Sequence, residues 1–506
     1  MVEIISSQVN EKVSETSEAP VSVAGPNTPS SQVSAKKQSL SDIFTIFAAG
    51  AALVSDGYFN NTMTMINVLL RKEYPANYTS TVSTRVSNAL LVGEVFGQVT
   101  IGLTCDYFGR KFALIMTTLT IVIGGILATA AHGVTTDGMF WMMTIARGIV
   151  GFGVGGEYPA SSTSASEAAN EHTLRNRGPV FIMVTNLPLS FGTPLAVIIF
   201  LIVFSACHQS HFSTVWRVCF GIGCIFPLSI FYFRLKMLNS VLYRRGAIKR
   251  KVPYLLVFRY YWRSLIGTCG AWFLYDFVTF PNGVFSGTII ASVVPSNAND
   301  VILRTAEWTL LLGTLALPGV FLGAYLCDRF GRKNTMMLGF SGYLVFGLII
   351  GCSYDQITKI VPLFVVFYGL MQSSGNTGPG DMLGLISSET YATSIRGTCY
   401  GLSAAVGKAG AAIGTQAFTP IQNNLGKRWT FIIAAICGVV GILVTYFFVE
   451  DLTGEDLAER DKRFRAYLIE NGWDGEMGED DLKALAADGP MSGEVIAFND
   501  PENGEK

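Results

Sequence analysis

Long apolar segments recur along the whole chain, and they constrain its fold more than any other feature. Half of the 506 residues are hydrophobic, 14% are charged and the mean hydropathy is +0.41. A soluble protein of this size needs more polar surface than this composition supplies. A helix crosses about 30 Å of hydrocarbon with roughly 20 apolar residues, so the sequence predicts an all-α membrane protein with twelve transmembrane helices. The segments lie near residues 43–69, 86–105, 112–132, 139–163, 179–206, 214–234, 264–294, 306–327, 335–353, 360–386, 398–420 and 428–449.

The formal charge of −1 conceals an uneven distribution. Residues 450–506 hold 17 acidic and 6 basic residues, whereas the run from Arg234 to Arg263 holds nine basic residues and no acid. Nucleic-acid binding is one interpretation of a basic run, but between membrane spans it more often marks the cytoplasmic side. We therefore expect no nucleic-acid partner, a disordered tail over 1–40, an acidic tail over 450–506, and both termini in the cytoplasm.

Two motifs that suggest a nucleotide cofactor do not have the required context. Residues 151–156, GFGVGG, match G-x-G-x-x-G, but the apolar run continues on both sides where a strand and a new helix are needed. Gly407-Lys408 lacks the spacing of a phosphate-binding loop. The nine cysteines form no C-x-x-C pair and lie near no histidine cluster. We therefore expect no cofactor and no metal, and the absence of H-E-x-x-H and G-x-S-x-G motifs disfavours an enzyme.

An internal repeat divides the chain into related halves. DYFGRK at Asp106 recurs as DRFGRK at Asp328, an offset of 222, and Glu167 is followed at the same offset by Glu389. Asp56 and Asp276 are 220 residues apart. These pairs predict two six-helix bundles, 41–234 and 264–449, joined by a basic linker over 235–263.

The repeated motif G102-x-x-x-D106-x-x-G109-R110-K111 resembles the signature of the major facilitator superfamily. Its glycine permits close helix packing, and its basic pair suits the cytoplasmic interface. The second copy departs from it, because Ala324 stands where the glycine belongs and Gly323 comes one residue early. The resemblance implies a major facilitator fold in which charged residues gate the cytoplasmic side. These residues are Asp106, Arg110, Arg147, Glu167, Asp328, Arg332, Glu389 and Arg396.

Several ionisable residues fall within the apolar segments, where each costs about 2.5 to 3.5 kcal/mol on insertion scales and needs a partner or a function. They are Asp56, Glu94, Arg147, Glu157, Asp276, Asp381 and Lys408. For Arg147 and Glu94 we favour structural pairing, with Arg147 tied to an acid such as Glu167. For Asp276, beside a Pro281-Asn282-Gly283 break, and for Lys408, a lone cation among small residues, we favour a functional role.

Four strings carry a narrower resemblance over about residues 40–450. GGEYP, WFLYD, GPGD and GKAG are similar to the phosphate:proton symporter family, and FLYDFVTFPNG and GDMLGLISSE to the fungal glycerophosphodiester permeases. This implies proton-coupled import of glycerophosphoinositol or glycerophosphocholine across the plasma membrane. It implies proton-handling roles for Asp56, Glu157 and Asp276. The residues expected to contact the substrate are Tyr158, Asn186, Trp272, Asp276, Gly380, Asp381 and Lys408.

Three positions depart from the inorganic phosphate carriers. Phe280, Gly380 and Val184 stand where that family has tyrosine, asparagine and glutamine. The changes widen the site and remove polar groups, which favours a phosphodiester with a large alcohol over bare phosphate. Asp381 then faces either inositol hydroxyls or a choline cation, and the sequence does not separate the two.

An anionic substrate explains why protons are needed. A carboxylate about 4 Å from the anion repels it by about 4 kcal/mol at an effective dielectric near 20, so protonation must accompany binding. A phosphodiester carries one negative charge and requires at least two protons for the membrane potential to drive its entry. The alternatives are an inorganic phosphate symporter, a non-transporting nutrient receptor and, more distantly, a membrane enzyme.

Overall fold

The structure is a computed structural model, and it describes residues 53–172, 176–236, 243, 247–248, 252–294 and 301–473. These residues belong to one compact unit that spans Ser39–Lys506. The expected tail over 1–40, the start of the first predicted span, much of the basic linker and the end of the acidic tail lie outside the described residues.

The described residues of the first half form seven helices, which make six membrane-length segments. Residues 212–236 form one segment from two short helices, which meet at Cys224. The helices are α1 Leu53–Glu73, α2 Ser80–Tyr107, α3 Arg110–Thr129, α4 Thr136–His172, α5 Arg177–Ala206, α6 Phe212–Gly223 and α7 Ile225–Lys236.

The second half repeats this arrangement with more interruptions. The tenth segment is broken by one turn of π-helix, Asn376–Gly380, which contains Pro379. The helices are α8 Tyr254–Val284, α9 Ser286–Ala291, α10 Val301–Arg329, α11 Arg332–Cys352, α12 Tyr354–Ile357, α13 Val361–Gly375, α14 Asp381–Thr390, α15 Arg396–Leu425 and α16 Arg428–Phe448, followed by α17 Leu457–Glu470 in the tail.

Eight of the described helical segments are long and apolar enough to cross a membrane by length and composition alone. The other four are α1, α8, the broken α13–α14 segment and α15. Their hydropathy is lowered by polar side chains such as Asp56, Asp276, Asp381 and Lys408. Polar residues in a membrane helix face the bundle interior, so these four helices are the ones expected to surround a site.

Close contact between the halves depends on small residues. A β-carbon on Gly102 of α2 would lie 2.7 Å from the carbonyl oxygen of Gly397 at the start of α15. Any larger residue there would force α2 and α15 apart. The outer surface is apolar, with exposed side chains such as Ile145, Ile202 and Ile436, as a lipid-facing surface requires.

Arg234, the first residue of the basic run, belongs to the last helix of the first bundle. Helix α7 continues to Lys236, and the Arg234 side chain is buried. Its guanidinium turns back into the first bundle, so it does not contribute to a solvated basic loop.

The acidic tail contains a short helix, α17, whose charged surface is not fully solvated. Asp456 caps α17 by accepting a hydrogen bond from the Ala458 N–H at 3.0 Å. Phe464 and Leu468 are buried in a cluster with Tyr261 and other residues of the membrane bundle. One face of α17 is therefore packed against the transporter body.

Candidate functional site

A central cavity lies among helices of both halves. All seven residues predicted to contact substrate line it, which are Tyr158, Asn186, Trp272, Asp276, Gly380, Asp381 and Lys408. Asn60 and Asn61 of α1 also line the cavity, as does Phe280 of α8. The structure thus brings together residues that are far apart in the sequence, such as Asn60 and Lys408, which are separated by 348 positions.

Lys408 is not the unpaired cation that the sequence suggested, because two carboxylates lie beside it. Its Nζ lies 3.4 Å from Asp276 Oδ2 and 3.5 Å from Glu94 Oε2, and all three side chains are nearly inaccessible to solvent. Nζ also lies 3.4 Å from the centroid of the Phe280 ring and 5.3 Å from that of Tyr158. The cation is held by two carboxylates and two aromatic faces.

The charges of this triad do not balance. Lys408 supplies one positive charge, whereas Asp276 and Glu94 supply two negative charges when both are ionised. A net charge buried at bilayer depth is costly. The arrangement therefore favours one bound proton on the carboxylate pair when no other ion is present, and it can accept an anion beside Lys408 if a further proton binds.

Asn186 and Asp381 meet inside the cavity from opposite halves. Asn186 Nδ2, on α5, donates a hydrogen bond to Asp381 Oδ1, at the start of α14. Asp381 Oδ2 is buried and has no hydrogen-bond partner in the described part of the chain. The π-turn before α14 sets the direction of this side chain, since it shifts the helix register just ahead of Asp381.

Asp56 and Glu157, the other two residues predicted to handle protons, do not line the cavity. Glu157 forms a fully buried ion pair with Arg234 and accepts hydrogen bonds from Thr117 at 2.8 Å and Ser161 at 2.5 Å. Asp56 is also buried, and its Oδ2 has no hydrogen-bond partner among the residues that the structure describes. Although Glu157 lies in an apolar part of the sequence, its carboxylate is therefore balanced by the Arg234 guanidinium group of α7.

The first copy of the repeated motif forms a charged cluster at one end of the bundle, which we call the motif end. Arg110 lies 2.6 Å from Asp106 Oδ1 and 2.9 Å from Glu167 Oε1. Arg396, from the second half, lies 3.0 Å from the same Glu167 oxygen. Asp106 also accepts hydrogen bonds from the backbone N–H groups of Gly397 and Thr398, so it caps the start of α15.

The second copy repeats this geometry. Arg332 lies 2.6 Å from Asp328 Oδ1 and 3.2 Å from Glu389 Oε2. Arg177, from the first half, lies 2.9 Å from Glu389 Oε1. Each cluster thus contains an arginine supplied by the opposite half, and together the clusters hold the motif end closed.

Arg147 is placed differently from our expectation. It does not join Glu167, which is occupied by Arg110 and Arg396. Arg147 instead donates from Nε to the carbonyl oxygen of Val86 at 3.0 Å. The predicted pairing of Arg147 with Glu167 is therefore wrong, because both residues lie on α4, 20 residues and about 30 Å apart along the helix.

Sequence reasoning missed three partners. Glu94 was assigned only a structural role, Arg234 was counted only as part of the basic run, and Arg177 was given no role, yet all three contact a predicted site residue. Arg177 had a detectable signal, because Arg177-Gly178 resembles Arg396-Gly397 in the second half. Arg234 had none, since its pairing depends on how α7 is rotated.

Comparisons with known proteins agree with this architecture. The family described as sugar (and other) transporter matches residues 43–252 and 247–464. The chain is 56% identical to glycerophosphoinositol permease 1 of Candida albicans, over 92% of this chain and 91% of that protein. It is also 56% identical to glycerophosphoinositol transporter 1 of Saccharomyces cerevisiae, over 88% and 86%.

A solved structure confirms the fold. The proton:xylose symporter XylE, bound to 6-bromo-6-deoxy-D-glucose, aligns with a TM-score of 0.69 and 18% identity, covering 84% of this chain and 99% of XylE. The predicted all-α membrane fold is confirmed, and these relatives are transporters rather than enzymes. The chain belongs to the sugar (and other) transporter family of the major facilitator superfamily, together with the fungal glycerophosphodiester permeases.

Proposed function

We propose that this multi-pass membrane transporter imports glycerophosphodiesters, with glycerophosphoinositol as the main substrate, together with protons. The observation that carries the proposal is the position of Lys408, paired with Asp276 and Glu94 beside a cavity between the halves. The names of two relatives at 56% identity support the choice of substrate.

Substrate binding begins with an exchange of partners at Lys408. The phosphodiester anion takes the place of a carboxylate beside the ammonium group. A carboxylate left ionised about 4 Å from this anion would repel it by about 4 kcal/mol at an effective dielectric near 20. Asp276 and Glu94 must therefore be neutral when substrate is bound, and protons enter with the substrate.

The rest of the cavity suits a large alcohol better than bare phosphate. Phe280 presents its ring face to Lys408 and offers no hydroxyl. At Gly380, a β-carbon would approach the Tyr275 hydroxyl to 2.8 Å, so a side chain there would reduce the space beside the substrate. Asn186 and Asp381 supply polar groups at this part of the cavity, which suit the hydroxyl groups of inositol.

Alternating access requires the motif end to open after substrate binds. The Arg396–Glu167 and Arg177–Glu389 pairs both join the halves, so they must separate in that step. We place the motif end and both termini on the cytoplasmic side of the plasma membrane, because basic residues concentrate there. Closure of this end corresponds to a carrier that has not yet released substrate into the cell.

Asp56 and Glu157 remain candidates for proton handling beside Asp276. Because Glu157 is paired with Arg234, it can take a proton only if that guanidinium moves or gains another anion. Asp56 has no such cation among its described hydrogen-bond partners, so of the two residues it is the one that can take a proton without first losing a counterion.

The test is uptake of labelled glycerophosphoinositol by proteoliposomes with an alkaline, negative interior. We expect accumulation that generates current and disappears when both gradients are collapsed. Uptake that persists unchanged would disprove proton coupling. Stronger competition by phosphate than by glycerophosphocholine would favour the inorganic phosphate symporter, and binding without flux would favour the receptor.

A further inference from the structure

Asp381 differs from the other buried carboxylates in the described part of the second half. Asp276 is paired with Lys408, and Glu389 is paired with Arg332 and Arg177. Asp381 is 1% exposed, and its interactions are a hydrogen bond from Asn186 to Oδ1 and none to Oδ2. It forms no ion pair among the residues that the structure describes.

The surroundings of Asp381 give no compensation for a negative charge. From α10, Gly323 packs so closely that a β-carbon there would lie 2.0 Å from Asp381 Oδ2 and 2.5 Å from the carbonyl oxygen of Thr377. The titratable groups that face Asp381 are Tyr275 of α8 and Cys327 of α10, neither of which is a cation. From α5 comes only the neutral Asn186.

This environment is complementary to a protonated carboxyl group. A neutral carboxyl group carries one hydrogen-bond donor and one acceptor. The acceptor oxygen is bonded by Asn186, and the other oxygen lies against α10 beside the carbonyl oxygen of Thr377. An ionised carboxylate with one hydrogen bond and no cation at this depth would be strongly unfavourable.

We propose that Asp381 is a proton carrier of the transport cycle, and that the hydrogen bond from Asn186 links its protonation to closure of the two halves. The proposal rests on the function proposed above. Asp381 takes a proton from the side of substrate entry and holds it while the cavity is closed. When the halves separate, Asn186 withdraws, water reaches the carboxyl group and the proton leaves on the other side.

This assignment gives the second proton that voltage-driven import of a phosphodiester requires. A proton bound at the Lys408 triad neutralises the charge of the substrate, and a proton on Asp381 makes the loaded carrier one charge more positive. The role differs from the substrate contact expected from the sequence. It predicts that removing the titratable group changes the electrical charge carried per substrate.

The experiment measures the charge-to-substrate ratio of Asp381→Asn in proteoliposomes. The charge moved and the labelled glycerophosphoinositol taken up are recorded together at a fixed pH gradient and voltage, for the wild type, Asp381→Asn and the matched control Asp355→Asn, whose carboxylate is 73% exposed. We expect the ratio to fall by one charge in Asp381→Asn only. An unchanged ratio overturns the role of Asp381 alone, whereas no flux in the wild type overturns the proposed substrate as well.

A second variant decides the matter if Asp381→Asn is not recovered in folded form. Asn186→Ala keeps the carboxyl group but removes its hydrogen bond. In the infrared spectrum of purified protein, we expect a protonated-carboxyl C=O band that moves to higher frequency in Asn186→Ala. A spectrum in which no such band responds would mean that Asp381 is ionised, and the proposal would fail.

Discussion

Arg396 Nη1 lies 3.0 Å from Glu167 Oε1, and the two residues belong to opposite halves of the transporter. Arg110 shares the same oxygen at 2.9 Å, so one buried glutamate holds two arginines. The corresponding Glu389 holds Arg332 and Arg177. The internal repeat therefore corresponds to two ion-pair clusters, and in each cluster an arginine of one half contacts a glutamate of the other half.

Glu167→Gln is expected to weaken closure of the motif end, because it leaves two buried guanidinium groups without their shared carboxylate. Cys105 lies beneath this cluster and is inaccessible to solvent. In a background with the other cysteines replaced, labelling of Cys105 by a thiol reagent should become at least fivefold faster. Glu307→Gln removes a carboxylate from an exposed ion pair and should leave the labelling rate unchanged.

Lys408→Met should abolish measurable glycerophosphoinositol binding, with a loss of at least a hundredfold in affinity. The substitution removes the cation that attracts the phosphodiester and leaves Asp276 and Glu94 facing it. Isothermal titration with purified protein gives the affinity. Lys333→Met, at a partly exposed lysine that donates a hydrogen bond to the Tyr446 carbonyl oxygen, is the control and should bind normally. Retained affinity in Lys408→Met would remove this residue from the anion site.

Arg234→Met should destabilise the protein by about 3 to 5 kcal/mol, because it leaves Glu157 buried without a counterion. Adding Glu157→Gln should restore most of the loss, since the remaining amide is neutral. Denaturation in detergent of the two single variants and the double variant gives the coupling energy. Additive losses in this cycle would show that the two side chains do not depend on each other.

Gly323→Ala should impair transport by displacing Asp381, since the new methyl group would overlap its carboxyl group. We expect uptake to fall at least tenfold. At Gly148, in contrast, a β-carbon would have only an ordinary contact, at 3.7 Å from the Ala89 carbonyl oxygen. Gly148→Ala should therefore transport like the wild type, and equal loss in both variants would argue against a specific effect at Asp381.

The sequence alone was sufficient to predict the features that follow from apolar segments, internal repeats and family motifs. Apolar length predicted the helices, the offset of 222 predicted the paired motif clusters, and family resemblance selected the seven side chains that line the cavity. The helices and the paired clusters do not depend on the exact rotation of a helix about its axis, whereas the seven lining residues do and were found through the resemblance.

Partners that depend on three-dimensional orientation could not be predicted in the same way. Glu94 reaches Lys408 across the two halves, and Arg234 reaches Glu157 because α7 turns it inward. In the sequence, both arrangements look like isolated charges. The break in the tenth segment was equally hidden, because Pro379 alone does not specify a π-turn or the direction of Asp381.

The tail helix α17 touches both halves but is attached to them unequally. Its contacts with the first half are polar, from Arg177 to the Glu455 carbonyl oxygen and from Asn170 to Asp456. On the second half, Asp461 accepts two hydrogen bonds from Thr393 and Phe464 is buried. When the motif end opens, the polar contacts of the tail with the first half break more easily than the partly apolar contacts with the second half. We therefore expect α17 to stay attached to the second half and to re-form its contacts with the first half in each transport cycle.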